Sequence, residues 1–107
     1  MSWRITFYNK KVKSQVLAFP ESVLANFLHI AELIEEHGPT VGMPFTRGLG
    51  AGLFEMRARG KEGIARVIYC CLAGRELVML NAFVKKTQKT PKKELALARK
   101  RMKELLK

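Results

Sequence analysis

The stretch LFEMRARGKEGIARVIYCCLAGRELVMLNAFVK, residues 53–85, reads as three strands joined by two turns. Leu53 to Arg59, Ile64 to Leu72 and Glu76 to Lys85 are strand-like runs, and Gly60-Lys-Glu-Gly63 and Ala73-Gly74 supply the residues of tight hairpin turns. Side chains alternate along a strand, so Phe54, Met56 and Ala58 face one way and Glu55, Arg57 and Arg59 the other. The first set suits a core. If the first turn pairs Arg59 with Ile64, Arg57 falls opposite Arg66. If the second pairs Leu72 with Arg75, Arg66 falls opposite Asn81. Arg57, Arg66 and Asn81 then form one row, with Phe83 and Lys85 on the same face and Val78, Leu80, Ala82 and Val84 turned to the core.

Outward from this meander the signals change period. Trp3 to Tyr8 alternates as a strand and is broken by Asn9. Lys10 to Ala18 reads as a short helix stopped by Pro20, and Glu21 to His37 as a longer one, with Leu24, Phe27, Leu28, Ala31 and Ile34 at helical intervals before Gly38-Pro39. Between Gly38 and Gly52 lie five glycines and two prolines with Arg47 the sole charge, which reads as a long loop. Its Gly48-Leu-Gly-Ala-Gly52 run is not a nucleotide loop, because there a strand precedes the glycines and a helix follows, the reverse of the order here. After Thr90, a candidate cap, and Pro91, suited to a first helical position, Leu95, Ala98, Met102, Leu105 and Leu106 recur at helical spacing. The expected architecture is one domain, 1–107: an α+β fold in which the helices, two N-terminal and one basic C-terminal, cover one side of a small twisted, mainly antiparallel sheet.

Charge narrows the partners. The 107 residues carry a formal net charge of +11, which points to a polyanion. No Lys or Arg lies between Ser14 and Thr46, whereas Lys85 to Lys107 holds ten basic residues against Glu94 and Glu104. The last helix should therefore dock by its apolar stripe and present a basic outer face. Cys70 and Cys71 are adjacent, too tight for an ordinary disulfide and without a second ligand pair for zinc, and read as buried thiols in a strand. With no apolar run long enough to span a bilayer and no signal core, a cytoplasmic protein without membrane contact is expected.

Two arginines directly opposite each other repel unless something negative lies between them. One solution is internal, with Glu55 neutralising both. The other is an anionic ligand, and the company of Phe83 favours RNA, since guanidinium groups grip phosphate and an aromatic ring stacks a base. Arg47, Arg59, Asn81, Phe83 and Lys89 are candidate RNA contacts. Cleavage of RNA without metal requires the 2′-hydroxyl to lose a proton and attack the adjacent phosphate. The chain has no Asp and Glu55 is the one candidate carboxylate on the sheet face, so a two-metal site is hard to assemble, and His29 and His37 sit in the long helical segment. Neither a metal nor another cofactor is expected. Arg57 and Arg66 are candidate transition-state clamps, and Lys85 or Lys86 a base or electrostatic activator with a pKa lowered by neighbouring cations. Alanine at Arg66 or Lys85 is expected to leave the fold intact and abolish cleavage.

Leu53-Phe-Glu-Met-Arg57, Arg66-Val-Ile-Tyr69 and Asn81-Ala-Phe-Val-Lys-Lys-Thr-Gln-Lys-Thr-Pro91, followed by a helix with Ala96 and Arg99, resemble the RelE/HigB superfamily of toxins, especially its phage-derived HigB-like branch. The resemblance covers nearly the whole chain in element order. It implies the RelE fold, ribosome-dependent cutting of mRNA in the A site, a cognate antitoxin with a helix-turn-helix domain, and contact with DNA through that antitoxin complex alone. Carried over, the family's strand arginines fall on Arg57 and Arg66, its aromatic and basic cluster on Phe83, Lys85 and Lys86, and a phosphate contact on Lys89. The sequence departs from the pattern in lacking a tyrosine in the last helical region and a His or Asp beside the last strand. A ParE-like toxin, which poisons gyrase by protein contact, would share the fold, and a non-enzymatic RNA- or DNA-binding module would share the charge.

Overall fold

The computed structural model describes residues 2–85 and 89–107. The elements run β1 (Arg4–Phe7), α1 (Lys10–Leu17), α2 (Glu21–His37), β2 (Thr46–Gly50), β3 (Leu53–Gly60), β4 (Gly63–Leu72), β5 (Glu76–Val84) and α3 (Lys92–Leu105). They build one five-stranded sheet in the order β1-β5-β4-β3-β2, antiparallel except where β1 joins β5 in parallel. The α+β architecture expected from the periodicities is present.

The helices divide between the two faces of the sheet, which corrects the expectation that one side is covered. Val12 and Val16 of α1 and Val23, Phe27, Ile30, Ala31 and Ile34 of α2 pack on Met56, Ala58, Ala65, Val67, Tyr69, Leu77, Met79 and Ala82. Ala98 and Met102 of α3 pack on the opposite face, against Leu53, Ile68, Cys70, Val78 and Leu80. The continuous apolar run Val67-Ile-Tyr-Cys70 in β4 explains this, since a central strand buried on both faces loses its alternation. Val78 and Leu80 thus belong to the second core, Val84 is exposed, and of the two thiols Cys70 is buried while Cys71 is exposed. Leu105 and Leu106 lie outside the buried stripe of α3, which consists of Ala98 and Met102.

Three local features departed from the sequence reading. The glycine-rich stretch contains β2, with Gly50, Ala51 and Gly52 at positive φ turning it into β3. Thr46, its first residue, is buried and accepts a hydrogen bond from Gly42 N–H at 2.8 Å. The β4–β5 connection pairs Leu72 with Glu76, leaving a three-residue turn in which Gly74 and Arg75 take φ of 79° and 61°. Finally, the β4–β5 register shifts between Ile68 and Tyr69, so Met79 faces Tyr69 while Asn81 faces Ile68 and Leu80 bulges. Each slip alone would turn the strand over; together they restore the facing and move the pairing along by one pair. Arg66 therefore stands opposite Phe83, and the expected Arg66–Asn81 pairing is replaced.

The β3–β4 turn docks on the start of α2. Ser22 N–H donates to Glu62 Oε1 at 2.8 Å, Glu62 N–H to Ser22 Oγ at 3.3 Å, and Arg59 N–H to Asn26 Oδ1 at 2.7 Å. A side chain at Gly60 would put its Cβ 2.6 Å from the Ser22 carbonyl carbon, so the close approach requires glycine there. At the other helix end, α3 begins without a side-chain cap; Thr90 is used elsewhere.

Candidate nucleic-acid interface

The sheet face beneath α3 has two halves. One is the apolar floor under Ala98 and Met102. The other, toward the β3–β4 turn, carries three cross-strand rows. Arg47, Glu55, Ile68 and Asn81 form the first, Arg57, Arg66 and Phe83 the second, and Arg59 and Ile64 the third. Lys85, just past β5, joins the third through its N–H to Ile64 O at 2.8 Å. Neighbouring strands are about 4.8 Å apart and successive same-face residues about 6.6 Å, so the rows form a compact grid. The expected opposition of Arg57 and Arg66 is observed.

Glu55 organises the grid from below. It is fully buried, and its Oε1 accepts from Arg66 Nη1 at 2.8 Å and from Arg47 Nε at 3.1 Å. Thr90 Oγ1 donates to Glu55 Oε2 and accepts from Arg66 Nη1 at 3.1 Å. A carboxylate without access to water persists because it accepts several charge-assisted hydrogen bonds. Glu55 thus pairs with Arg66 and Arg47, where neutralisation of Arg57 and Arg66 was the internal solution considered from sequence. Arg66, 1 % exposed, is part of the floor. Breaking a buried pair strands its partner's charge, so the expectation that Arg66→Ala spares the fold is revised.

Arg57 is the different arginine. Half-buried, it reaches Met43 Sδ with Nη1 at 3.6 Å, and its buried Nε has no hydrogen-bond partner among the described residues. Burial, then the charges of Arg59, Arg66 and Arg47, push its pKa below the ordinary arginine value, with Glu55 opposing them. Lys85 is shifted the same way, by burial first and then by Arg66, Arg57 and Arg59. Both shifts record unbalanced positive charge in a partly desolvated place, which an anion would relieve.

The remaining expected residues distribute around this centre. Arg59 and Lys89 are exposed, and Arg47 is exposed on β2 while tethered to Glu55. Phe83 is half-buried at the end of the arginine row. Asn81 is buried and donates from Nδ2 to Glu94 O at 3.1 Å and Glu94 Oε1 at 3.0 Å, so it fastens α3 to the sheet. Lys86 lies outside the described residues. His29 and His37 are exposed on α2, with His29 edge-on to Phe45. The sequence reading missed Thr90, because a Thr-Pro pair ahead of a helix signals a cap and nothing local announces a carboxylate brought from β3.

The five-stranded sheet with two helices on one face and one on the other is an arrangement shared with a RelE chain of known structure. The "Crystal structure of archaeal RelE-RelB complex from Pyrococcus horikoshii OT3" contains a chain that aligns with a TM-score of 0.57 over 78% of this chain and 96% of that chain, at 23% sequence identity, a likeness of fold. The chain belongs to the family described as "Phage derived protein Gp49-like (DUF891)", which matches residues 14–103. Among curated proteins, none matches the sequence. The resemblance read from residues 53–91 is borne out in both family and fold.

Proposed function

We propose that this protein is the toxin of a toxin–antitoxin pair and that it cuts mRNA on the ribosome, without metal, at the grid formed by Arg57, Lys85 and Phe83. The observation that carries the reading is Arg57: a guanidinium whose buried Nε has no hydrogen-bond partner among the described residues, ringed by cations and in one cross-strand row with a stacking ring. An enzyme that stabilises a pentavalent phosphate keeps such donors oriented before substrate arrives. Arg57 holds a nonbridging oxygen. Lys85, whose pKa is lowered by burial and three arginines, is the base that takes the proton of the 2′-hydroxyl; the 2′-oxygen attacks the phosphorus as the P–O5′ bond breaks, leaving a 2′,3′-cyclic phosphate, and water protonates the departing 5′-oxygen. Phe83 stacks the neighbouring base, and Arg59, Arg47, Lys86 and Lys89 contact the flanking phosphates. Arg66, Glu55 and Thr90 hold the floor in register.

The partners follow from the same reading. The related RelE was crystallised with RelB, which supports a cognate antitoxin here, proposed to carry a helix-turn-helix domain and to supply contact with DNA. No described helix is long and apolar enough to cross a membrane, and we assign the cytoplasm, where ribosomes and mRNA are found. The test is transcript-end mapping after brief induction in cells. Wild type is expected to generate new mRNA ends, and Arg57→Ala and Lys85→Ala to remove them. DNA damage with intact transcripts would identify a gyrase poison and overturn the nuclease.

A further inference from the structure

Beside Phe83, at the end of β5 that β1 does not reach, lies a cavity of about 330 Å³ between α1 and α3. Phe19 and Phe83 are its aromatic wall, with Ala82 and Val84 along the strand and Gln15 and Glu94 as its polar groups. Its size is at the small end for ligand sites and suits a single planar ring system. The polar groups are matched in kind. Gln15 Oε1 is buried without a hydrogen-bond partner among the described residues, and Glu94 is a carboxylate of which Oε1 accepts from Asn81 Nδ2 at 3.0 Å. Buried acceptors without donors are rare in folded proteins and mark places where a donor is missing.

We propose that this cavity is a nucleobase subsite that selects guanine, with the base edge donating to Gln15 and Glu94 while Phe83 packs against its face. Guanine alone among the four RNA bases presents two adjacent donors on its Watson–Crick edge, the N1–H and the N2 amino group. Adenine and cytosine each offer one amino group next to an acceptor nitrogen, and uracil sets its single N–H between two carbonyl oxygens that the carboxylate repels. Phe83 occupies the same strand face as Lys85, two residues away, or about 6.6 Å. A nucleotide bound here lays its phosphate on the cationic grid. The inference rests on the nuclease reading for its biological role and on the cavity alone for its ligand.

The test is binding of the four nucleoside 5′-monophosphates to the intact protein, followed by NMR shifts of the Gln15 amide group and the Phe83 ring. Guanylate is expected to bind about tenfold more tightly than uridylate, the effect of one or two hydrogen bonds to charged or buried acceptors. Gln15→Leu should bring guanylate down to the uridylate level, and Gln15→Glu, which keeps an acceptor, should preserve the preference. Equal affinities for all four, tightest binding of another base, or shifts confined to residues away from Gln15 and Phe83 would overturn the subsite. The two readings fail separately. Guanylate binding here by a protein that leaves ribosome-bound mRNA whole would remove the nuclease and keep the subsite, while cleavage without base dependence would do the reverse.

Discussion

Removing the Arg66 guanidinium would leave the Glu55 carboxylate buried with Arg47 as its remaining ionic partner among the described residues. Arg66→Ala is therefore expected to lose about 3–5 kcal/mol in urea unfolding, the usual cost of breaking a buried pair. Arg57→Ala removes a side chain with one weak contact to sulfur and relieves repulsion, so its unfolding free energy should change by less than about 0.5 kcal/mol. Its cleavage rate should nevertheless fall by about 10²–10³, the usual loss for an oriented transition-state donor. Measuring both properties on both variants separates the two arginines that sequence left equivalent. The residues of the face were legible because alternation puts Arg57, Arg66, Phe83 and Lys85 on one side. Which arginine is sunk was not, because that depends on Thr90 and Glu55 meeting across 35 positions of chain. A pH test also belongs to this scale. A neutral lysine base makes the rate climb with pH and level off above its pKa, which burial and neighbouring cations lower for Lys85. Arg59→Gln removes one of those cations, so Lys85 holds its proton to higher pH and the plateau should begin at a higher pH than in wild type.

Helices announced their limits more clearly than strands did. Glu21–His37 is bounded by Pro20 and Gly38, and the observed helix has those ends. Strand β2 was hidden because Thr-Arg-Gly-Leu-Gly has little strand propensity and forms by pairing with β3, with Thr46 Oγ1 bonded to Gly42 N–H. The Leu80 bulge was equally silent, since no turn residue marks it and its effect is to let Leu80 and Asn81 both serve α3. At this scale the tight element junction is Gly60 on Ser22. Gly60→Ala must push the β3–β4 turn off α2, and a destabilisation of about 1–3 kcal/mol is expected from the thermal midpoint, in the range of an overpacked contact. A midpoint equal to wild type would mean that the turn docks more loosely than the Ser22–Glu62 hydrogen bonds indicate.

Across the whole molecule, charge is segregated by layer. The exposed residues of α2 include Glu21, Glu32 and Glu36, while α3, on the other side of the sheet, exposes Lys92, Lys93, Arg99, Lys100 and Lys103. This asymmetry was visible in the sequence as a block without cations followed by a block dense in them; the opposite placement of the two helices was not, because it depends on which sheet face each apolar stripe finds. A dipolar body of this kind orients toward a polyanion before contact. Affinity for single-stranded RNA should fall with salt, the logarithm of the binding constant dropping by roughly 0.7 per phosphate neutralised for each tenfold rise in salt. Lys100→Glu with Lys103→Glu should flatten that dependence and slow association with little change in unfolding midpoint. An unchanged salt slope would remove α3 from the RNA-facing surface.

The parallel pairing of β1 with β5 has a kinetic consequence. Arg4 through Phe7 find their partners, Glu76 through Met79, only after most of the chain has been made, and Thr6 Oγ1 donates to Glu76 Oε2 across 70 positions. Such distant closure pays its entropy before it gains contacts and tends to slow folding. The edge strand β1 therefore stays without its partner until the last third of the chain has been made, and the sheet is completed only near the end of synthesis.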